Sequence, residues 1–384
     1  MGEQVALVAC SDYSEDKVDS AVREAVDYLG GLDKFVQPGQ QVLLKANLLT
    51  KRPPGDAVTT HPALVKAVAK EVIRAGGQPL IYDSPGGPFT KSALEGVYAS
   101  CGMTQVATEL DAKLNWDVAT VNVTAAEKAQ VRNITLSQAI ATADVIINLP
   151  KLKSHGLTRY TGAVKNLYGC IPGLSKAEYH LQLPTLDQFA NFLLDLALTV
   201  KPTLTIMDAV VGMEGEGPSA GTPRHLGYVL ASSSMFALDA AAVNLIGLKE
   251  EEVPTTRLAK TRGLFNKVVD EIVVGLNLRE QVVHDFEIPP PGGTSFRLLG
   301  YRLPPRVLKL VGGWLGARPV FQADKCRRCG ICVRSCPAKA LTLSGKKPTI
   351  KLTDCIRCFC CQELCPVQAV IIHRPWLSRR LIRH

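Results

Sequence analysis

Over residues 1–290, short apolar runs and longer helical patterns take turns along the chain. Runs at 4–9 and 41–46 have the length and β-branched content of strands, and 16–29 between them carries the apolar spacing of an amphipathic helix. A second helical pattern over 62–75 stops at Gly76-Gly77, a C-terminal stop signal. Strand 79–83, helix 91–100 and strand 145–149 follow. Then come a helix near 185–200, strands 203–207 and 227–231, and a helix over 235–246. Alternation on this scale predicts an α/β fold: a large domain with a mostly parallel sheet and helices on both faces. In such sheets ligands bind beyond the carboxyl ends of the strands, so polar residues just after strands are the first candidates for chemistry.

The pattern changes near residue 286. Pro289-Pro290-Pro291-Gly292-Gly293 breaks regular structure, and 303–320 sets Arg306, Lys309 and Arg318 among leucines, valines and Trp314. A basic amphipathic stretch of this kind either lies on a membrane surface or packs on its own protein as a connecting helix. The second is the expectation. Two matching cysteine runs come next: Cys326-x2-Cys329-x2-Cys332-x3-Cys336-Pro337 and Cys355-x2-Cys358-x2-Cys361-x3-Cys365-Pro366. Zinc sites usually pair two C-x2-C knuckles across a longer spacer, which this is not. The spacing resembles the iron–sulfur run of two-cluster bacterial ferredoxins, in which the fourth cysteine of each run ligates the other run's cluster. One [4Fe–4S] cluster is therefore expected on Cys326, Cys329, Cys332 and Cys365, and a second on Cys355, Cys358, Cys361 and Cys336. Apolar stretches at 340–343 and 369–372 read as short strands covering the clusters. Cys360 stands off the pattern and reads as a packed thiol, with ligand exchange after oxidation as the alternative. The expected organisation is an α/β domain over 1–285, a linker over 286–320, a small α+β ferredoxin-like domain over 321–375 and a basic tail over 376–384.

Composition adjusts this picture only locally. With 46% apolar and 21% charged residues the chain is an ordinary globular one, without an N-terminal signal pattern or an uncharged stretch long enough to span a membrane. The four cysteines outside the runs (Cys10, Cys101, Cys170, Cys360) are scattered, which suits a reducing cytoplasm, and oxygen-labile clusters suit an anaerobe or a protected compartment. The net charge of +9 is uneven: residues 321–384 hold 13 Lys+Arg against 3 Asp+Glu, whereas the rest holds 31 against 32. That excess either compensates the clusters or docks an acidic redox protein. Nucleic acid is not expected, since no recognition motif accompanies the charge.

Four segments after predicted strands carry candidate chemistry. Lys45 and Asn47, in Lys45-Ala46-Asn47-Leu48, are cofactor-binding candidates. Asp83-Ser84-Pro85-Gly86-Gly87 leads into Thr90-Lys91-Ser92, where Thr90 replaces the glycine a P-loop needs, although an anion at that helix start is reasonable. Pro150-Lys151-Leu152-Lys153-Ser154-His155, followed by Thr161-Gly162-Ala163-Val164-Lys165-Asn166, clusters three lysines and a histidine, as anion sites and lysines of lowered pKa do. Asp208 and the glycine-rich Gly212-Met213-Glu214-Gly215-Glu216-Gly217-Pro218 offer carboxylates for a metal or a proton. Lys165, His155, Lys151, Lys153, Asp208 and Glu214 are thus the catalytic candidates. His180 and Asp239 read as structural. Gly215-x-Gly217 lacks the third glycine of a dinucleotide fingerprint.

Taken together, the segment at 45–48, those at 150–155 and 161–169, and Asp208 with 213–218 resemble the domain-of-unknown-function 362 family over roughly residues 5–250. Many members carry a C-terminal ferredoxin-like domain. The stretch 151–165 is also similar to the histidine- and lysine-bearing loop of the nickel-pincer lactate racemase family, where the lysine of a Gly-x-x-Lys stretch helps bind a nucleotide-derived cofactor. That likeness implies roles for Lys165 and His155. Three functions follow as expectations. The first is an iron–sulfur oxidoreductase whose clusters exchange electrons with an anionic small molecule in the large domain. The second is an electron-carrier or adaptor subunit of a larger redox complex. The third is a non-redox, racemase-like enzyme with structural clusters. A further cofactor or metal in the large domain is left open.

Overall fold

A computed structural model describes residues 3–127, 129–289 and 316–375. Of the expected connecting helix over 303–320, residues 303–315 lie outside the described residues, as does the tail from Trp376. The last residues of that stretch are not helical but open a strand, Arg318–Phe321.

The large domain is built on a ten-stranded sheet. Its main path runs β12 (Val273–Gly275), β1 (Val5–Ala9), β11 (Thr222–Ser232), β10 (Leu204–Glu214), β7 (Val145–Asn148), β2 (Gln41–Lys45), β3 (Gln78–Tyr82) and β4 (Lys113–Leu114). β8 (Lys151–His155) pairs in parallel with β10 further along, and β9 (Arg159–Thr161) returns antiparallel on β8. From β10 through β7, β2 and β3 to β4 every pairing is parallel, whereas β11 runs antiparallel to both β1 and β10. A separate hairpin joins β5 (Thr120–Thr124) to β6 (Asn133–Ser137).

Strand alternation explains why both faces are covered. On β1 and β2, Val5, Leu7 and Leu43 point into one apolar core, and Ala6, Val8, Val42 and Leu44 into the other. Helices Glu15–Asp27, Pro62–Arg74 and Lys91–Ser100 cover the second core, and helices Leu186–Val200 and Met235–Leu245 the first. These helices fall within two residues of their expected spans. Three elements differ, one of them β11, expected over 227–231, which begins five residues earlier at Thr222. Lys151–His155, read as a loop, is a fully buried strand. β10, expected to end at 207, continues to Glu214, because its pairing with β11 resumes beyond an irregularity between Ala209 and Val211. Asp208 therefore sits inside a strand, not after one.

The C-terminal unit is small. β13 (Arg318–Phe321) pairs antiparallel with β16 (Val370–His373), and β14 (Leu341–Ser344) with β15 (Lys347–Ile350). The two cysteine runs repeat in backbone as well as sequence. Each holds a four-residue helix, Ile331–Arg334 or Cys360–Glu363, and Arg328 and Arg357 share a left-handed conformation with φ of 54° and 56°. The unit rests on the turn after β10. Gln362 donates to the Glu216 carbonyl at 3.2 Å, Gln368 to the Ser219 carbonyl at 3.0 Å, and Arg374 pairs with the Glu216 carboxylate.

Candidate functional site

Two small apolar cavities lie in the C-terminal unit. Cys326, Cys329, Cys332 and Cys365 line one. Cys336, Cys355, Cys358 and Cys361 line the other, together with Cys360. Each void thus gathers three cysteines of one run and the fourth of the other. Backbone N–H groups of Ala340 and Ala369 point at the sulfurs of Cys336 and Cys365 at 3.3 and 3.2 Å, at matching places in the two runs. Among the described residues no three ligating side chains converge on a point suited to a single ion. The cysteines surround a space instead, which fits a multi-iron cluster with hydrogen-bonded sulfurs better than a mononuclear metal.

A third cavity, of about 80 Å³, lies between the two units, well above the roughly 10–15 Å³ that one water needs. The large domain gives it Lys153, Lys165, Lys176, Asp83, Tyr168 and His180, and the C-terminal unit gives it Cys360, Glu363 and Leu364. Three ammonium groups in one partly enclosed space are costly unless something compensates them.

Strand periodicity places the first of these. In Lys151-Leu152-Lys153-Ser154-His155 the polar side chains at 151, 153 and 155 share one face, while Leu152 enters the core. Lys153 donates to Asn47 Oδ1 at 2.6 Å and to the Val58 carbonyl at 2.9 Å. Burial, then the charges of Lys165 and Lys151, bring its pKa down to about 7. His155 accepts the Leu157 and Thr158 N–H groups on Nδ1, which leaves its proton on Nε2, 3.3 Å from Glu363. Burial lowers His155 to about 4, so it is neutral at pH 7. Burial alone would raise Glu363, but the His155 hydrogen bond and the nearby Lys165 hold it below the usual carboxylate range.

Lys165 is placed from behind by Asp239. This carboxylate, on helix Met235–Leu245, accepts the N–H groups of Ala163 and Val164 at 2.6 and 2.9 Å and the Tyr160 hydroxyl at 2.8 Å, fixing the turn that carries Lys165. Burial lowers the Lys165 pKa, and among the described residues its ammonium makes no ion pair. Lys176, on helix Ser175–Gln182, is the opposite case: it donates to the Ser84 carbonyl and hydroxyl and to the Pro85 carbonyl at 2.8–3.2 Å. Burial brings it to about 7. Lys45 pairs with Asp83 at 2.7 Å under the cavity wall, with both groups buried.

The remaining nominated residues lie elsewhere. Lys151 binds Asp208 at 2.9 Å and the Tyr13 hydroxyl at 2.7 Å, and Tyr13 donates to Asp208 at 2.7 Å while stacking on His61 at 3.5 Å. This network is closed and separate from the cavity. Glu214 accepts the Glu287 N–H at 3.0 Å at the far end of β10. Sequence reasoning missed Lys176 and Glu363. Lys176 follows a predicted strand only at long range, and Glu363 is hidden inside a cysteine run, so neither had a local signal.

Two family models match the two units. The family described as "Domain of unknown function (DUF362)" matches residues 42–244, and the "4Fe-4S dicluster domain" family matches residues 318–366. A thylakoid-associated protein of Synechocystis sp. is 35% identical over 295 residues, covering 75% of this chain and 88% of that protein. The lactate racemase apoprotein of Thermoanaerobacterium thermosaccharolyticum aligns with a TM-score of 0.41 and 13% identity, over 64% of this chain and 57% of that one. Family match and curated relative together cover most of the large domain, and the chain belongs to the DUF362 family, with a 4Fe-4S dicluster domain at its C-terminal end.

Proposed function

We propose that the protein is an iron–sulfur oxidoreductase that binds a small anionic substrate in the lysine-lined cavity between its two units. One observation carries the reading: Cys360 forms part of the wall of that cavity and also of the void lined by Cys336, Cys355, Cys358 and Cys361. Two [4Fe–4S] clusters, when bound, supply and accept single electrons. The chain's own residues supply the rest. Lys165, which unlike Lys153 and Lys176 makes no hydrogen bond to the cavity wall among the described residues and has Glu363 only as a nearby charge, holds the anion. Lys153, with a pKa near 7, is suited to give or take a proton at neutral pH. Neutral His155 keeps Glu363 in the wall, and Tyr168 and His180 shield the site from water. A cytoplasmic setting fits the absence, among the described residues, of a helix long and apolar enough to cross a membrane. The name of the Synechocystis relative adds contact with a membrane surface to that setting.

The test uses anaerobically purified, photoreduced protein mixed with a panel of small anions that can accept electrons (bicarbonate, nitrite, nitrate, sulfite), with acetate and phosphate as redox-inert controls. At least one should reoxidise the reduced protein in repeated turnovers. Lys165→Ala should slow this by about a hundredfold, the scale of losing one preorganised charge, with iron content unchanged. If none of the panel reoxidises the protein, or Lys165→Ala reacts as fast as the parent, the reading is wrong.

A further inference from the structure

The two cysteine-lined cavities differ in their surroundings. One shares Cys360 with the buried lysine cavity. The other contains Cys329, which is exposed, whereas the other eleven cysteines are buried or partly covered. Around Cys329 the surface is basic. Lys325, Arg327, Arg328 and Arg334 are all exposed, and Lys339 follows. Asp324 is the one acid between residues 321 and 339.

The charge exceeds what the clusters require. Residues 321–384 carry 13 basic against 3 acidic side chains, and two oxidised clusters with their thiolates would offset roughly four of those positive charges. The rest of the chain is close to neutral, with 31 basic and 32 acidic residues. Within the described residues 321–375, ten basic stand against three acidic side chains, so this unit forms a positive pole, and the exposed cysteine lies within it.

We propose that the Lys325, Arg327, Arg328 and Arg334 face around Cys329 is the docking surface for an acidic one-electron carrier protein. Charge complementarity selects that partner. A negative face is drawn to the pole and oriented over the outward cavity, which raises the encounter rate and makes it depend on salt. A nucleic acid or an anionic lipid would also meet positive charge, but neither has a use for an exposed cluster cysteine at its centre. This inference does not depend on the lysine cavity being a substrate site.

The experiment is stopped-flow reduction of the anaerobic, cluster-loaded protein by an acidic [2Fe–2S] plant-type ferredoxin. A small uncharged reductant serves as control. Raising ionic strength from about 20 mM to about 300 mM shortens the screening length severalfold and should slow the ferredoxin reaction at least about tenfold. The pair Lys325→Glu with Arg334→Glu, neither of which lines the cysteine cavity, should slow it at least tenfold at low salt and flatten the salt dependence. Lys325→Gln with Arg334→Gln should give intermediate rates. The uncharged reductant should reduce all of them equally, at equal iron content. A parent rate indifferent to salt overturns the proposal, as do ferredoxin rates unchanged by the substitutions. Phosphatidylserine vesicles that bind the parent but not the variants, with ferredoxin rates unaltered, would assign the face to a membrane instead. Because the readout is reduction by a protein, it can fail while anion turnover succeeds, and the reverse.

Discussion

At the scale of single residues, the lysines around the site divide by what balances them. Lys151 and Lys45 each face a carboxylate, Asp208 and Asp83, at 2.9 and 2.7 Å. Lys165 faces a cavity. The first two are expected to hold the fold and the third to hold a ligand. Asp208→Asn keeps one acceptor oxygen, enough for the Tyr13 hydroxyl or the His61 N–H but not both, and leaves the Lys151 ammonium buried without its counter-charge. Breaking one side of a buried pair typically costs about 3–5 kcal/mol, so the urea midpoint of the anaerobic protein should drop clearly while iron content is retained. A midpoint within error of the parent would show that Lys151 is already neutral or that water reaches it.

At the scale of elements, β8 and the turn after β10 decide where the two units meet. Gly217 lies so close to β8 that a Cβ added there would be 2.2 Å from the Ser154 carbonyl oxygen, a backbone atom that cannot swing away. The neighbouring Glu216 and Ser219 carry the contacts to Gln362, Gln368 and Arg374. Gly217→Ala should therefore push the turn off β8 and loosen the C-terminal unit. Overpacking of this kind costs about 1–3 kcal/mol. The expected outcome is faster limited proteolysis between the units, with the large domain's far-ultraviolet dichroism unchanged. An unaltered cleavage rate would mean that the units are held together elsewhere. Gly169 has a similar duty nearer the cavity, since a Cβ there would meet Asp83 Oδ1 at 2.2 Å and Lys45 Nζ at 2.6 Å.

At the scale of the whole molecule, the lysine cavity couples stability and ligand binding to pH in opposite directions. Burial brings Lys153 and Lys176 from the usual 10.5 to about 7 in the folded protein. Between about pH 7 and the unfolded lysine pKa of about 10.4, the unfolded chain keeps protons that the folded chain has released, so stability rises with pH through that window. Below about pH 7 both states are protonated and the gain is absent. An anion needs the ammonium forms, so its affinity should fall as pH rises past 7. Urea midpoints and anion titrations at about pH 6.5, 8 and 9 should move in opposite senses. Parallel movement would mean that these lysines are not the groups that titrate.

The sequence by itself determined most of the long elements and pointed to iron–sulfur chemistry at the C-terminal end. Periodicity over 62–75 and 235–246 marks helices because apolar side chains must face one core. The two cysteine runs resemble those of two-cluster ferredoxins, and that resemblance implies the crossed grouping of cysteines seen around the two voids. The local sequence could not show that Lys151-Leu152-Lys153-Ser154-His155 is a strand. Lysines at strand positions are stable only where Asp208, Asn47 and Glu363 come from β10, the loop after β2 and the far end of the chain to meet them. Nor could it show that Lys165, Lys176 and Glu363 share one cavity, since these residues are far apart along the chain and only the closing of the two units brings them together. Local propensity is set by neighbours in sequence. A buried charge is set by neighbours in space, and that is where the tertiary structure decided what the sequence left open.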